Sequence, residues 1–194
     1  MTDTRPPEDT PITALPDEEL MLLVARGFVR EPAAELFARH NRALFNFVAW
    51  LAQGDLKEAE DIAQSTWIRV LSRCGDYTPS AAFRTFLFQI ARNLLLDARG
   101  SAWHQRTSNE EEVPEAADED LSPEAALRLR QDSGRVRAAL MGLSAPQREA
   151  VALRFFADMS VEDIATTVGV GFETVKSRLR YAFRQLRDVL EPPG

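Results

Sequence analysis

A single cysteine, Cys74, leaves the chain no internal disulfide, and a lone thiol fits a reducing compartment. The two histidines, His40 and His104, have no cysteine or histidine neighbours at metal-ligand spacing, so a zinc site has no support. No apolar run approaches the roughly 20 residues of a membrane span. The opening stretch, Met1 to Pro16, is polar, acidic and proline-rich, the wrong composition for a signal peptide. There is no nucleophile–base set and no glycine-rich phosphate loop, so neither catalysis nor a cofactor is expected. What remains is a cytoplasmic protein of 194 residues, 45% hydrophobic and 27% charged, enough for one or two small domains with real cores.

A net charge of −7 argues at first against a polyanionic partner, but the charge is unevenly placed. Residues 69–106 carry six arginines against two aspartates, and residues 128–194 carry eleven basic against eight acidic groups. Between them, residues 107–127 carry eight acids and no lysine or arginine. A nucleic acid is touched locally, so two basic segments outweigh an acidic total.

Apolar residues recur at helical spacing almost throughout. The pattern predicts helices over Glu18 to Phe28, Ala33 to Leu51, Leu56 to Leu71 and about Phe83 to Arg99, with Leu36, Phe37, Trp67 and Leu71 among the inward residues. Gly75 to Ser80 reads as a loop. From His104 to Pro123 periodicity vanishes while acids and prolines accumulate, the composition of a flexible linker. Helical patterning resumes from about Glu124 to Leu190. The expected fold is all-α, with a disordered tail (1–16), a four-helix domain (17–103), an acidic linker (104–123) and a second helical domain (124–191).

The second domain carries a recognisable motif. Ser160 followed by Asp163 signals a helix start. Ile164, Ala165 and Val168 give an apolar face, and Gly169 supplies a left-handed stop. Gly171 then opens a longer helix with Val175, Leu179, Ala182, Phe183 and Leu186 inward. A short helix, a glycine turn and a longer helix make a helix-turn-helix. Lys176, Ser177, Arg180 and Tyr181 occupy the longer helix's first half, away from its apolar face, where a recognition helix meets base edges. A plain solvated arginine-rich face accounts for the same charges, and the motif alone does not separate a repressor from other DNA readers.

The first domain narrows the choice. Ala59-Glu60-Asp61-Ile62-Ala63-Gln64, followed by Trp67, Val70 and Leu71, resembles region two of the extracytoplasmic-function (ECF) sigma factors of bacterial RNA polymerase. So does Phe83-Arg84-Thr85-Phe86-Leu87-Phe88-Gln89-Ile90-Ala91-Arg92-Asn93. Leu143-Ser144, Pro146-Gln147-Arg148-Glu149 and Thr174-Val175-Lys176-Ser177-Arg178-Leu179 resemble their region four. The likeness runs over about residues 18–190 in the family's order, and the short linker in place of a long region three marks the ECF group. Phe86 stands where the family usually has tryptophan, and Ser65 where an acid is common.

The resemblance implies a set of roles. Asp61 and Gln64 would dock on the clamp helices of the polymerase's largest subunit, and the polymerase flap would be a further contact. Tyr77 and Asn93 would receive the non-template strand of the minus-ten element. Lys176, Ser177, Arg180 and Tyr181 would read the minus-thirty-five duplex, with Arg154 and Arg178 on phosphates. The family commonly has an anti-sigma factor as a partner, often membrane-tethered. Residue chemistry agrees for the melted strand, since aromatic and amide groups hold unstacked bases. Two alternatives stay open from the residues alone: a helix-turn-helix repressor acting without polymerase, and a helical adaptor that does not read DNA.

Overall fold

The computed structural model describes residues 10–79, 82–100 and 142–190. It divides into two units between Leu95 and Leu96. Among the described residues every regular element is helical, and no helix is long and apolar enough to cross a membrane.

The first unit contains α1 (Asp17–Ala25), α2 (Arg30–Leu51), α3 (Leu56–Ser72) and all but the last turn of α4 (Phe83–Arg99). The N-terminal oxygen of α3 is local: the Asp55 side chain accepts from the Glu58 N–H at 3.0 Å. Its core is aliphatic and aromatic. Leu20, Leu36, Leu44, Phe47, Leu87 and Phe88 are fully buried, and the rings of Phe47 and Phe88 meet edge to face at 5.1 Å. Two residues expected inside lie outside. Phe37 is 47% exposed, its ring resting 5.3 Å from that of Trp67 at the edge of the core while the adjacent Leu36 is buried. Leu71 is 37% exposed, about 100° round the helix from the fully buried Val70.

The expected disordered tail is also corrected from residue 10 onward. Ile12–Ala14 forms a short 3₁₀ turn and Leu15 is buried. Arg39 on α2 grips this segment. Its guanidinium donates to the carbonyls of Leu15 and Thr13, both at 2.8 Å, and to the Asp17 carboxylate at 2.9 Å. Residues 1–9, the acidic linker and the helical pattern from Glu124 to residue 141 lie outside the described residues.

Asp17 also meets the ring Nε2 of buried His40 at 2.7 Å. Burial pushes the His40 imidazole below its ordinary value, with Arg84 and Arg39 adding to the push and Asp17 opposing it. In the unfolded chain the ring binds a proton below about pH 6.5. The folded chain resists that proton, so stability is complete above this pH and falls as pH drops through it. Urea midpoints between pH 7.5 and 5.5 should therefore decline, and the decline should shrink in His40→Gln. An equal decline in both would assign the pH dependence elsewhere.

The second unit contains α5 (Ala145–Phe156), α6 (Val161–Val168) and α7 (Phe172–Leu190). A reciprocal capping box starts α5, Ser144 Oγ accepting from the Gln147 N–H while Gln147 Oε1 accepts from the Ser144 N–H. Leu153, Met159, Ile164, Val175, Ala182 and Leu186 fill the small core.

Candidate nucleic-acid interface

The described helices of the second unit form a helix-turn-helix held by local chemistry. Ser160 Oγ accepts from the Asp163 N–H at 3.1 Å and starts α6. Gly169 ends it with φ +74°, a left-handed conformation that disfavours a side chain. Replacing Ser160 with alanine should cost about 1 kcal/mol of stability, and aspartate should restore most of it. Chemical denaturation of the full chain measures this, and an unaffected alanine variant would show that α6 is held by packing alone.

On α7, Val175, Leu179, Ala182 and Leu186 are buried. At about 100° per residue, Ser177 and Arg184 face directly away from that stripe, with Arg180 and Tyr181 about 50° to either side. Lys176 lies on one flank and Arg178 on the other, about 160° from Arg180. The outward residues are organised among themselves: the guanidinium carbons of Arg180 and Arg184 lie 5.3 and 4.8 Å from the Tyr181 ring centroid. Such contacts hold two flexible cations against a rigid plane. The face suits a negatively charged duplex groove, with donors at its centre and cations at both margins.

Arg154 is exposed, but part of its guanidinium is already engaged. Its Nη1 donates to the Met159 carbonyl at 2.8 Å across the α5–α6 turn, where Asp158 adopts φ +51°. Arg154 thus braces the motif as well as presenting charge.

In the first unit, Asp61 and Gln64 are both exposed on α3, one turn apart. They belong to a longer outward stripe at alternating four- and three-residue spacing: Lys57, Asp61, Gln64, Ile68, Leu71. Ile68, 62% exposed, is the residue the sequence reading passed over. Its spacing from Gln64 was the available signal. Polar at one end and apolar at the other, the stripe has the form of a helix-docking surface.

Tyr77 and Asn93 are not brought together. Tyr77 is 6% exposed, its ring packed edge-on against Phe86 at 5.3 Å and Phe83 at 6.3 Å. Burial, with Glu18 and Asp17 nearby, pushes its hydroxyl up to about 12. Asn93 is exposed on α4, two turns beyond Phe86 and about 10 Å along the axis. Phe86, Gln89 and Asn93 share one side of α4, with Phe86 half-buried and the other two exposed. The Tyr77 ring packs against the first member of this row, Phe86, and leaves the exposed Gln89 and Asn93 beyond it.

Two family profiles match the chain, "Sigma-70 region 2" over residues 36–105 and "Sigma-70, region 4" over residues 139–188. The "ECF RNA polymerase sigma factor SigL" of Mycobacterium tuberculosis is 33% identical over 165 residues, covering 82% of this chain and 89% of that protein. Two solved structures share the fold at 23% identity. CnrH in complex with the cytosolic domain of CnrY gives a TM-score of 0.65 over 92% of this chain and 99% of that one. The sigma factor RpoE of Bartonella quintana, in complex with the anti-sigma factor NepR, gives 0.58 over 91% and 98%.

Proposed function

We propose, from the premise that this chain belongs to the ECF group of bacterial RNA polymerase sigma factors, a division of labour between its two units. As a sigma factor the protein binds core polymerase, directs it to promoters and promotes initiation. Residues 17–103 act as region two and residues 124–191 as region four, with 104–123 as the connecting linker. The α3 stripe, through Asp61, Gln64 and Ile68, docks on the polymerase clamp helices. The Phe86–Gln89–Asn93 row on α4 receives the minus-ten strand, and Tyr77 shapes the loop beside it. Ser177, Arg180 and Tyr181 read the minus-thirty-five duplex, while Lys176, Arg178 and Arg154 meet phosphates. The protein acts by binding, in the cytoplasm, and the polymerase performs the chemistry. An anti-sigma factor is proposed as a further partner, supported by a fold relative that is held by one.

The observation that carries this reading is the outward Arg180–Tyr181–Arg184 cluster on α7, in a chain whose other unit matches region two. Run-off transcription with core polymerase on a randomised promoter library tests it. Transcripts should require the protein and share two short sequence blocks upstream of the start. Protein that occupies promoters alone with nanomolar affinity and yields no transcript would instead be a repressor.

A further inference from the structure

The backbone N–H of Phe83, the first residue of α4, donates to Glu18 Oε1 at 3.0 Å across 65 residues of sequence. The first N–H groups of a helix have no partner within it, and a carboxylate there also answers the positive end of the helix dipole. Glu18 is thus a remote cap on α4.

Its mount is rigid. The adjacent Asp17 is bound by Arg39 at 2.9 Å and His40 at 2.7 Å, and Arg39 holds the carbonyls of Thr13 and Leu15 just upstream. Besides capping α4, α1 packs against the Cys74–Asp76 turn that follows α3. Tyr77, directly after that turn, packs on Phe83 and Phe86. One short helix therefore fixes both the start of the loop after α3 and the start of α4, the two features that flank the row Phe86, Gln89, Asn93.

We infer that Glu18 is a positioning residue for promoter melting: its carboxylate fixes the start of α4, so that the base-receiving row is already in place before the strands part. This rests on the proposed function of that row. Preorganisation matters most where binding must offset the cost of opening the duplex, and least where the strands are already apart.

Three full-length variants test this with core polymerase. Glu18→Gln keeps an oxygen that can accept from Phe83. Glu18→Asp keeps the charge in the first turn of α1 but is one methylene too short. Glu18→Ala removes both. Glu18→Asp and Glu18→Ala should bind core polymerase and form closed complex normally, yet lose about tenfold in open complex on a duplex promoter, the loss expected for one unmade hydrogen bond to a buried donor. A template mismatched across the minus-ten element should restore most of that loss, and Glu18→Gln should stay within about twofold of wild type. If Glu18→Ala fails to fold, the aspartate–glutamine pair still decides. Wild-type open complex in Glu18→Asp, or an equal defect on both templates, would overturn the role of Glu18. A wild-type protein that supports no transcription from any template would instead overturn the function on which it rests.

Discussion

Alanine at Asp61, Gln64 and Ile68 together is expected to weaken binding to core polymerase by roughly 2–4 kcal/mol, about 30-fold to 10³-fold in Kd, while leaving the helical spectrum unchanged. All three side chains are exposed, so their removal leaves no cavity. Most of the loss should come from Ile68. Carboxylate and amide groups on an exposed helix are well hydrated, and their contacts at an interface rim contribute modestly. An isoleucine that is 62% exposed in the unbound protein gains by leaving water. Phe37, whose ring lies 5.3 Å from that of Trp67, and Leu71, one turn beyond Ile68, place more apolar surface close by. Scattered exposed apolar residues are ordinary; a row of them continuing a polar stripe is less so. Titration of labelled protein with core polymerase measures the effect. A triple variant that binds as tightly as wild type would move the docking surface off α3.

The same stripe shows where sequence reading succeeds and where it stops. The α4 boundaries were legible because its apolar residues recur densely at helical spacing, and the structure places it at Phe83–Arg99 as read. The caps at Ser160 and Gly169 were equally legible, since each satisfies backbone groups within three or four residues of itself. What failed was non-local. The 10–16 segment looks solvated by composition, and its order comes from Arg39, more than 20 residues away. Tyr77 lies in a loop, as its neighbours suggested, but its burial depends on where Phe83 and Phe86 fall across the loop. The bond from Phe83 to Glu18 leaves no trace in spacing at all. Periodicity also cannot rank neighbours: Leu36 and Phe37 are both apolar, and only the packing chooses between them. For the site, residue types on α7 were enough to name candidates. The Tyr181 ring that joins Arg180 to Arg184 is set by side-chain packing, which residue type does not encode.

That stack sets up the second large effect. Arg180→Ala is expected to lose about 1–3 kcal/mol on the preferred minus-thirty-five sequence and to relax discrimination at one base position. Arg180 stands on the outward side of α7, about 50° from its centre, and its guanidinium rests by the Tyr181 ring, so its fork enters a groove already oriented. Arg178, about 160° round the helix, cannot reach the same base edge and is placed at the flank, where a duplex presents its phosphates. Arg178→Ala should therefore weaken all sequences alike and reduce the slope of log affinity against log salt by about one unit, with the base preference intact. Tyr181 separates stacking from hydrogen bonding. Tyr181→Phe retains the ring and should keep the Arg180-dependent preference, whereas Tyr181→Leu removes the plane beside both arginines and should blur it. Binding of polymerase holoenzyme to a library randomised across the minus-thirty-five element, at two salt concentrations, reads all four variants in one assay. Identical sequence profiles for Arg180→Ala and Arg178→Ala would mean that the face and flank of α7 do not divide base from phosphate.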